Sequence, residues 1–152
     1  MACVERACKF YEGLVEALIA FADHVFRQSK STSDGSTVAD HQESAARQFE
    51  ALGKKKIAAN IQPQAPPFPH EIAYVWSWFN QISSGLLVTG MGPSVLTWEG
   101  LYAWQQLTAT AMEPWEVDCL MRLSVTRAVI NSEEQKKKVD ASAKPKNTRR
   151  SR

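Results

Sequence analysis

At 152 residues, with 44% hydrophobic and 22% charged side chains, the chain is long enough for one modest core and too short for two, and its composition excludes disorder along the whole length. The net charge of +2 hides an asymmetry: residues 1–132 carry 10 basic and 13 acidic side chains, whereas residues 133–152 carry 8 and 3. The cysteines, Cys3, Cys8 and Cys119, form no CxxC pair, so neither a zinc site nor a disulfide framework is signalled and a reducing cytosol is the natural compartment.

From Ala2 to Gln28, Val4, Phe10, Leu14, Leu18, Phe21 and Val25 recur at helical spacing among charged residues, which predicts an amphipathic helix of about seven turns in need of a surface to pack on. Glu12, Glu16, Asp23 and His24 interrupt its apolar stretch, which excludes a membrane span and a signal-peptide core. The expectation is a protein that remains in the cell making it. Residues 29–37, SKSTSDGST, have no apolar anchor and read as a flexible linker. Asp40 and Glu43 have capping-box spacing for a short helix that runs to Leu52 and stops at Gly53, with Lys54, Lys55 and Lys56 beyond its negative end.

Residues 57–69 hold Pro63, Pro66, Pro67 and Pro69 and are expected to be an extended strap, since proline removes a donor and biases its predecessor away from helix. His70 to Ser84 follows as an aromatic helix burying Ile72, Val75, Trp76, Phe79 and Ile82, with Gly85 as its stop. Residues 85–96 form a glycine-rich loop that turns Leu86, Leu87, Val88, Met91, Val95 and Leu96 onto the core. Thr97 caps a helix from Trp98 to Thr108 that presents Leu101, Trp104 and Leu107. Pro114 opens the longest helix, with Val117, Leu120, Met121, Ser124 and Ala128 along its stripe, broadened by Leu123 and Val125.

The fold class is therefore all-α. A separate N-terminal amphipathic helix (1–29) and a linker (30–39) precede a short helix and proline strap (40–69), a helical domain (70–138) and a disordered basic tail (139–152). Catalysis finds no foothold. His24, His41 and His70 share no ligand spacing, the run Gly90 to Pro93 lacks the lysine of a phosphate loop, and Glu113, Glu116 and Asp118 read as acids stabilising a helix start. No cofactor or metal is expected. Five tryptophans within 40 residues exceed what a small core hides completely, so two readings stand, packing in the core and a groove for an apolar partner helix, the candidate groove residues being Trp76, Trp78, Phe79, Trp98, Trp104 and Trp115. The pair of helices at 98–108 and 114–130 has helix-turn-helix spacing, yet the second opens with Glu116 and Asp118, which repel phosphates.

Five short blocks, PPFP at 66–69, WSWF at 76–79, GMGPSVLTWE at 90–99, AWQQLT at 103–108 and EPWEV at 113–117, stand in an order and spacing that resembles the tail assembly chaperones of long-tailed bacteriophages. The resemblance covers a little under half of the chain. It implies a non-enzymatic protein of the host cytoplasm that binds the phage tape-measure protein and assists recruitment of tail-tube subunits. This chain departs from the family pattern at Leu86-Leu87 and Ser124-Val125. Two alternatives remain open from the residues alone: a small nucleic-acid-associated protein using its basic tail and Lys54 to Lys56, and a structural tail or connector subunit.

Overall fold

A computed structural model describes residues 2–32, 34–61, 64–86 and 94–143, with side chains from Tyr11 to Glu133 within those segments. The described residues are helical, with no strand beyond one isolated bridge between Ser31 and Thr37. The helices are α1 (Ala2–Gln28), α2 (Val38–Ala51), α3 (Lys55–Ile61), α4 (Ala73–Ser84, entered through a 3-10 turn at His70–Ile72), α5 (Trp98–Thr108) and α6 (Pro114–Ala143). The all-α expectation holds.

Three of these helices build the core and run in the same direction. Tyr11 stacks on Trp115, Glu16 bonds Arg122 and Arg27 bonds Glu133, so the pairs advance together along α1 and α6. Tyr74 bonds Glu116 and Arg127 lies over Phe79, which gives α4 the same sense against α6. Parallel neighbours cannot be joined by short turns, because the chain must travel back to the starting end before the next helix begins. Residues 29–69, carrying α2 and α3, and residues 85–113, carrying α5, are those two return journeys.

The buried cluster takes Val15, Leu18 and Ala22 from α1, Ile72, Val75, Phe79 and Ile82 from the α4 region, Leu96 and Leu101 from the α5 region, and Cys119, Leu120 and Leu123 from α6. Helix α1 is thus separated from the rest in sequence and joined to it in packing. Its buried stripe runs Val15, Leu18, Ala22, rotated from the expected one, with Leu14, Phe21 and Val25 half-buried at its side. Val4 and Phe10 lie outside the residues whose side chains are described.

Several boundaries differ from expectation for local reasons. Helix α2 begins earlier: Thr37 is its N-cap, its hydroxyl accepting from Asp40 N at 3.2 Å while Asp40 accepts from Thr37 N at 2.9 Å, a complete capping box one turn before the Asp40–Glu43 pair. The stretch expected as a flexible linker carries its own bonds. Thr32 donates to the Ser36 carbonyl at 2.8 Å and also bonds Asp34, and His41 lies 3.0 Å from the Asp34 carboxylate. Gly53 has the positive φ of 72° that a C′ glycine supplies. Beyond it, residues 57–61 are helical as part of α3, and among the described residues of the strap 64–69 lie outside any helix, with Pro69 extended. The first proline is Pro63, so nothing in residues 55–61 forbids a helical turn, and Ala46 and Ala58 bury against the α2–α3 hairpin as small side chains that allow close approach.

Gly85 ends α4 with φ −92°, a helical value, and supplies no left-handed turn there. The loop expected to fold onto the core does so at Leu86 and Leu96, whereas Val95 is exposed and residues 87–93 lie outside the described residues. Helix α6 continues to Ala143, through the first five residues assigned to the basic tail, and residues 144–152 lie outside the described residues.

Candidate partner-binding surface

The aromatic side chains singled out in the sequence are distributed over three packings and one open position. Phe79 is 2% exposed, with the Arg127 guanidinium 4.9 Å from its ring centroid. Trp76 is half-buried among Phe21, Phe26 and Phe79, at centroid separations of 5.7, 5.9 and 5.7 Å. Trp78 sits between Tyr74 and Trp104, at 4.8 and 6.0 Å. Trp115 is half-covered by the stacked Tyr11 ring at 4.5 Å. Much of the aromatic face that the family blocks create is therefore occupied from α1 and from within, and the six residues do not form one groove.

Trp98 is the exception at 63% exposed, and Tyr102, one turn along α5, is 64% exposed beside it. Their positions follow from how α5 is anchored. Thr97 accepts from Gly100 N at 3.1 Å as the N-cap, and Leu101 buries on the inner side with Trp104 beside it. The Leu96 amide donates to Ser124 Oγ at 2.6 Å in a buried bond, fixing the chain just before α5 onto the middle of α6. That bond places Val95 and Val125, both exposed, one residue from either of its partners. Trp98 and Tyr102 on α5, Val95 just before it, and Val125 and Val129 on α6 are all exposed. Glu99 is the only charge in α5. Leu107, expected on the inner stripe, is instead 87% exposed, because it lies about a third of a turn around α5 from the buried Leu101.

Sequence reasoning missed Tyr102, although its i, i+4 spacing from Trp98 was visible. It also missed the role of Glu116. This carboxylate is 6% exposed, accepting from the Tyr74 hydroxyl at 2.5 Å and from Glu113 N at 2.6 Å. It therefore clamps α4 to the first turn of α6 as well as satisfying an orphan amide there. Burial, and then this bond, raise the Tyr74 pKa above its ordinary value. Cys119 is fully buried, and burial pushes its thiol up to about 12, which leaves it protonated and unreactive. Among the described residues no group of three or more His, Cys, Asp or Glu side chains could hold a metal ion, and no helix is long and apolar enough to cross a membrane. A groove along α2, lined by Asp40, Glu43, Ser44, Arg47, Gln48 and Ala51, is already bridged by the Glu43–Arg47 ion pair.

Comparison with protein-family models matches residues 51–127 to the phage tail assembly chaperone model. No curated protein and no solved structure matches the chain. The matched segment runs from the end of α2 to the middle of α6, and so contains α5 and its outward face but not α1.

Proposed function

Because the chain belongs to the phage tail assembly chaperone family, we propose that it binds the tape-measure protein during tail assembly and assists tail-tube subunits, without turnover, in the host cytoplasm. The tape-measure protein docks by an apolar helical stretch on the outward face of α5. The observation that carries this reading is the exposure of Trp98 and Tyr102 side by side on a helix with a single charge. Exposed aromatic rings with few charged neighbours are the composition of interface hot spots and suit an apolar helix laid across them. Trp76, Trp78, Trp104 and Trp115 then act behind that face as the packing that holds it in shape.

Co-expression with the long helical hydrophobic protein encoded alongside this chain tests the proposal. The tape-measure partner should become soluble and remain bound at about 0.15 and 0.5 M salt, because an apolar contact is not screened. A W98A/Y102A variant should retain the circular dichroism of the parent and lose capture. Undiminished capture by that variant would refute the α5 face. Binding only of nucleic acid, lost with salt, would instead support the basic-tail reading.

A further inference from the structure

The arginines whose side chains are described are all engaged. Arg27 bonds Asp23 and Glu133, Arg47 bonds Glu43, Arg122 bonds Glu16, and Arg127 lies over Phe79. The elbow between α2 and α3 differs. Lys54, Lys55 and Lys56 are exposed there, and among the described residues no carboxylate lies within ion-pair distance of them. The rest of residues 1–132 holds 7 basic and 13 acidic side chains, so these lysines are a concentrated positive tip on an acidic body.

The same tip exposes aliphatic side chains. Leu52 is 69% and Ile57 44% exposed, on either side of the lysines. Gly53, with its positive φ, and the bond from Lys54 N to the Phe49 carbonyl fold α3 back on α2, so these five side chains sit at the closed end of a hairpin. A favourable position beyond the end of α2 accounts for the lysines, but leaves both aliphatic side chains unexplained.

We propose that the α2–α3 elbow is a second docking surface, taking an acidic amphipathic segment of a partner protein. Carboxylates of that segment pair with Lys54 to Lys56, and its apolar side chains cover Leu52 and Ile57. Charge complementarity selects this occupant. Nucleic acid would use the lysines and leave the aliphatic pair in water, beside the exposed Glu50 that repels phosphate. An anionic membrane would meet the same carboxylate, with only two aliphatic side chains to insert. The elbow does not involve the α5 face, so either assignment can fail alone.

The test titrates the full chain against a labelled helical peptide of about 15 residues with Leu and Glu at i, i+3 and i+4 spacing, read by fluorescence anisotropy at about 0.05 M salt. Controls are the same peptide with Gln for Glu, a DNA duplex of about 20 base pairs and phosphatidylserine-containing vesicles. The acidic peptide should bind, the K54Q/K55Q/K56Q variant should bind it about tenfold more weakly, and an L52S/I57S variant should also lose affinity. The W98A/Y102A variant should bind it as the parent does. Equal binding of the Gln peptide, or a preference for duplex or vesicles that the lysine variant abolishes, would overturn the proposal, as would self-association of the chain through this tip.

Discussion

Tyr74 and Glu116 show how much a single contact organises. Glu116 stands at the start of α6, where its carboxylate satisfies the Glu113 amide while receiving the Tyr74 hydroxyl from α4. Glu116→Ala leaves a part-buried hydroxyl and a helix-end amide without their acceptor, and should cost about 1 to 3 kcal/mol in denaturant unfolding. A loss below about 0.5 kcal/mol would mean the clamp is incidental. The pH dependence has a definite sign. Burial and then the bond to Glu116 raise the Tyr74 pKa, so the folded state favours the neutral hydroxyl. That contribution is complete below the ordinary tyrosine value near 10 and is lost as pH rises beyond it. Unfolding followed from pH 8 to 11 should show a decline in the parent that Tyr74→Phe reduces. The sequence marked Glu116 as a helix-start acid, which is half of its role. Its tertiary partner lies 42 positions away, and nothing in local spacing announces a contact at that separation.

Helix starts were readable wherever a capping side chain or proline is decisive, as at Thr97 and Pro114. They were misread where two candidate caps compete. Thr37 and Asp40 complete a reciprocal box, and the turn before them is braced by Thr32, Asp34 and His41, so α2 starts a turn ahead of the Asp40–Glu43 pair. The Asp34 carboxyl is held down to about 2, chiefly by the Thr32 hydroxyl and then by His41. A lowered carboxylate pKa contributes stability above its unfolded value and loses it as pH falls through the folded one. Amide chemical shifts of the 31–37 turn should therefore change between pH 4 and pH 2, and Asp34→Asn should show the loosened shifts already at pH 6. Identical shifts in parent and variant at pH 6 would remove the brace. Helix α3 was invisible in sequence because seven residues are too few to be helical alone, so its existence depends on the hairpin packing that buries Ala58.

For the whole molecule, the consequential finding is that the family-matched segment does not contain its complete core. Residues 51–127 omit α1, whose Val15, Leu18 and Ala22 bury in the same cluster as Phe79 and Leu120, and omit the fully buried Ile130 further along α6. The sequence showed that α1 was amphipathic and wanted a partner. It could not show that the partner was the rest of this chain, because the docking depends on a parallel arrangement built by distant return segments. The same docking decided which aromatic side chains stayed free: α1 covers Trp76 and Trp115 and leaves Trp98 open. Leu18→Ala, at a fully buried position, should then cost about 2 to 5 kcal/mol across the whole domain, seen as a loss in the α4 and α6 amide protection and not in α1 alone. Removing α1 altogether is the stronger form. Residues 30–152 alone should lack a cooperative melt, and a synthetic peptide of residues 1–29 added in trans should restore one with a concentration-dependent midpoint. If residues 30–152 instead melt cooperatively near the parent temperature, α1 is an accessory to the fold, and the aromatic face it covers becomes an additional place for the tail partner to bind.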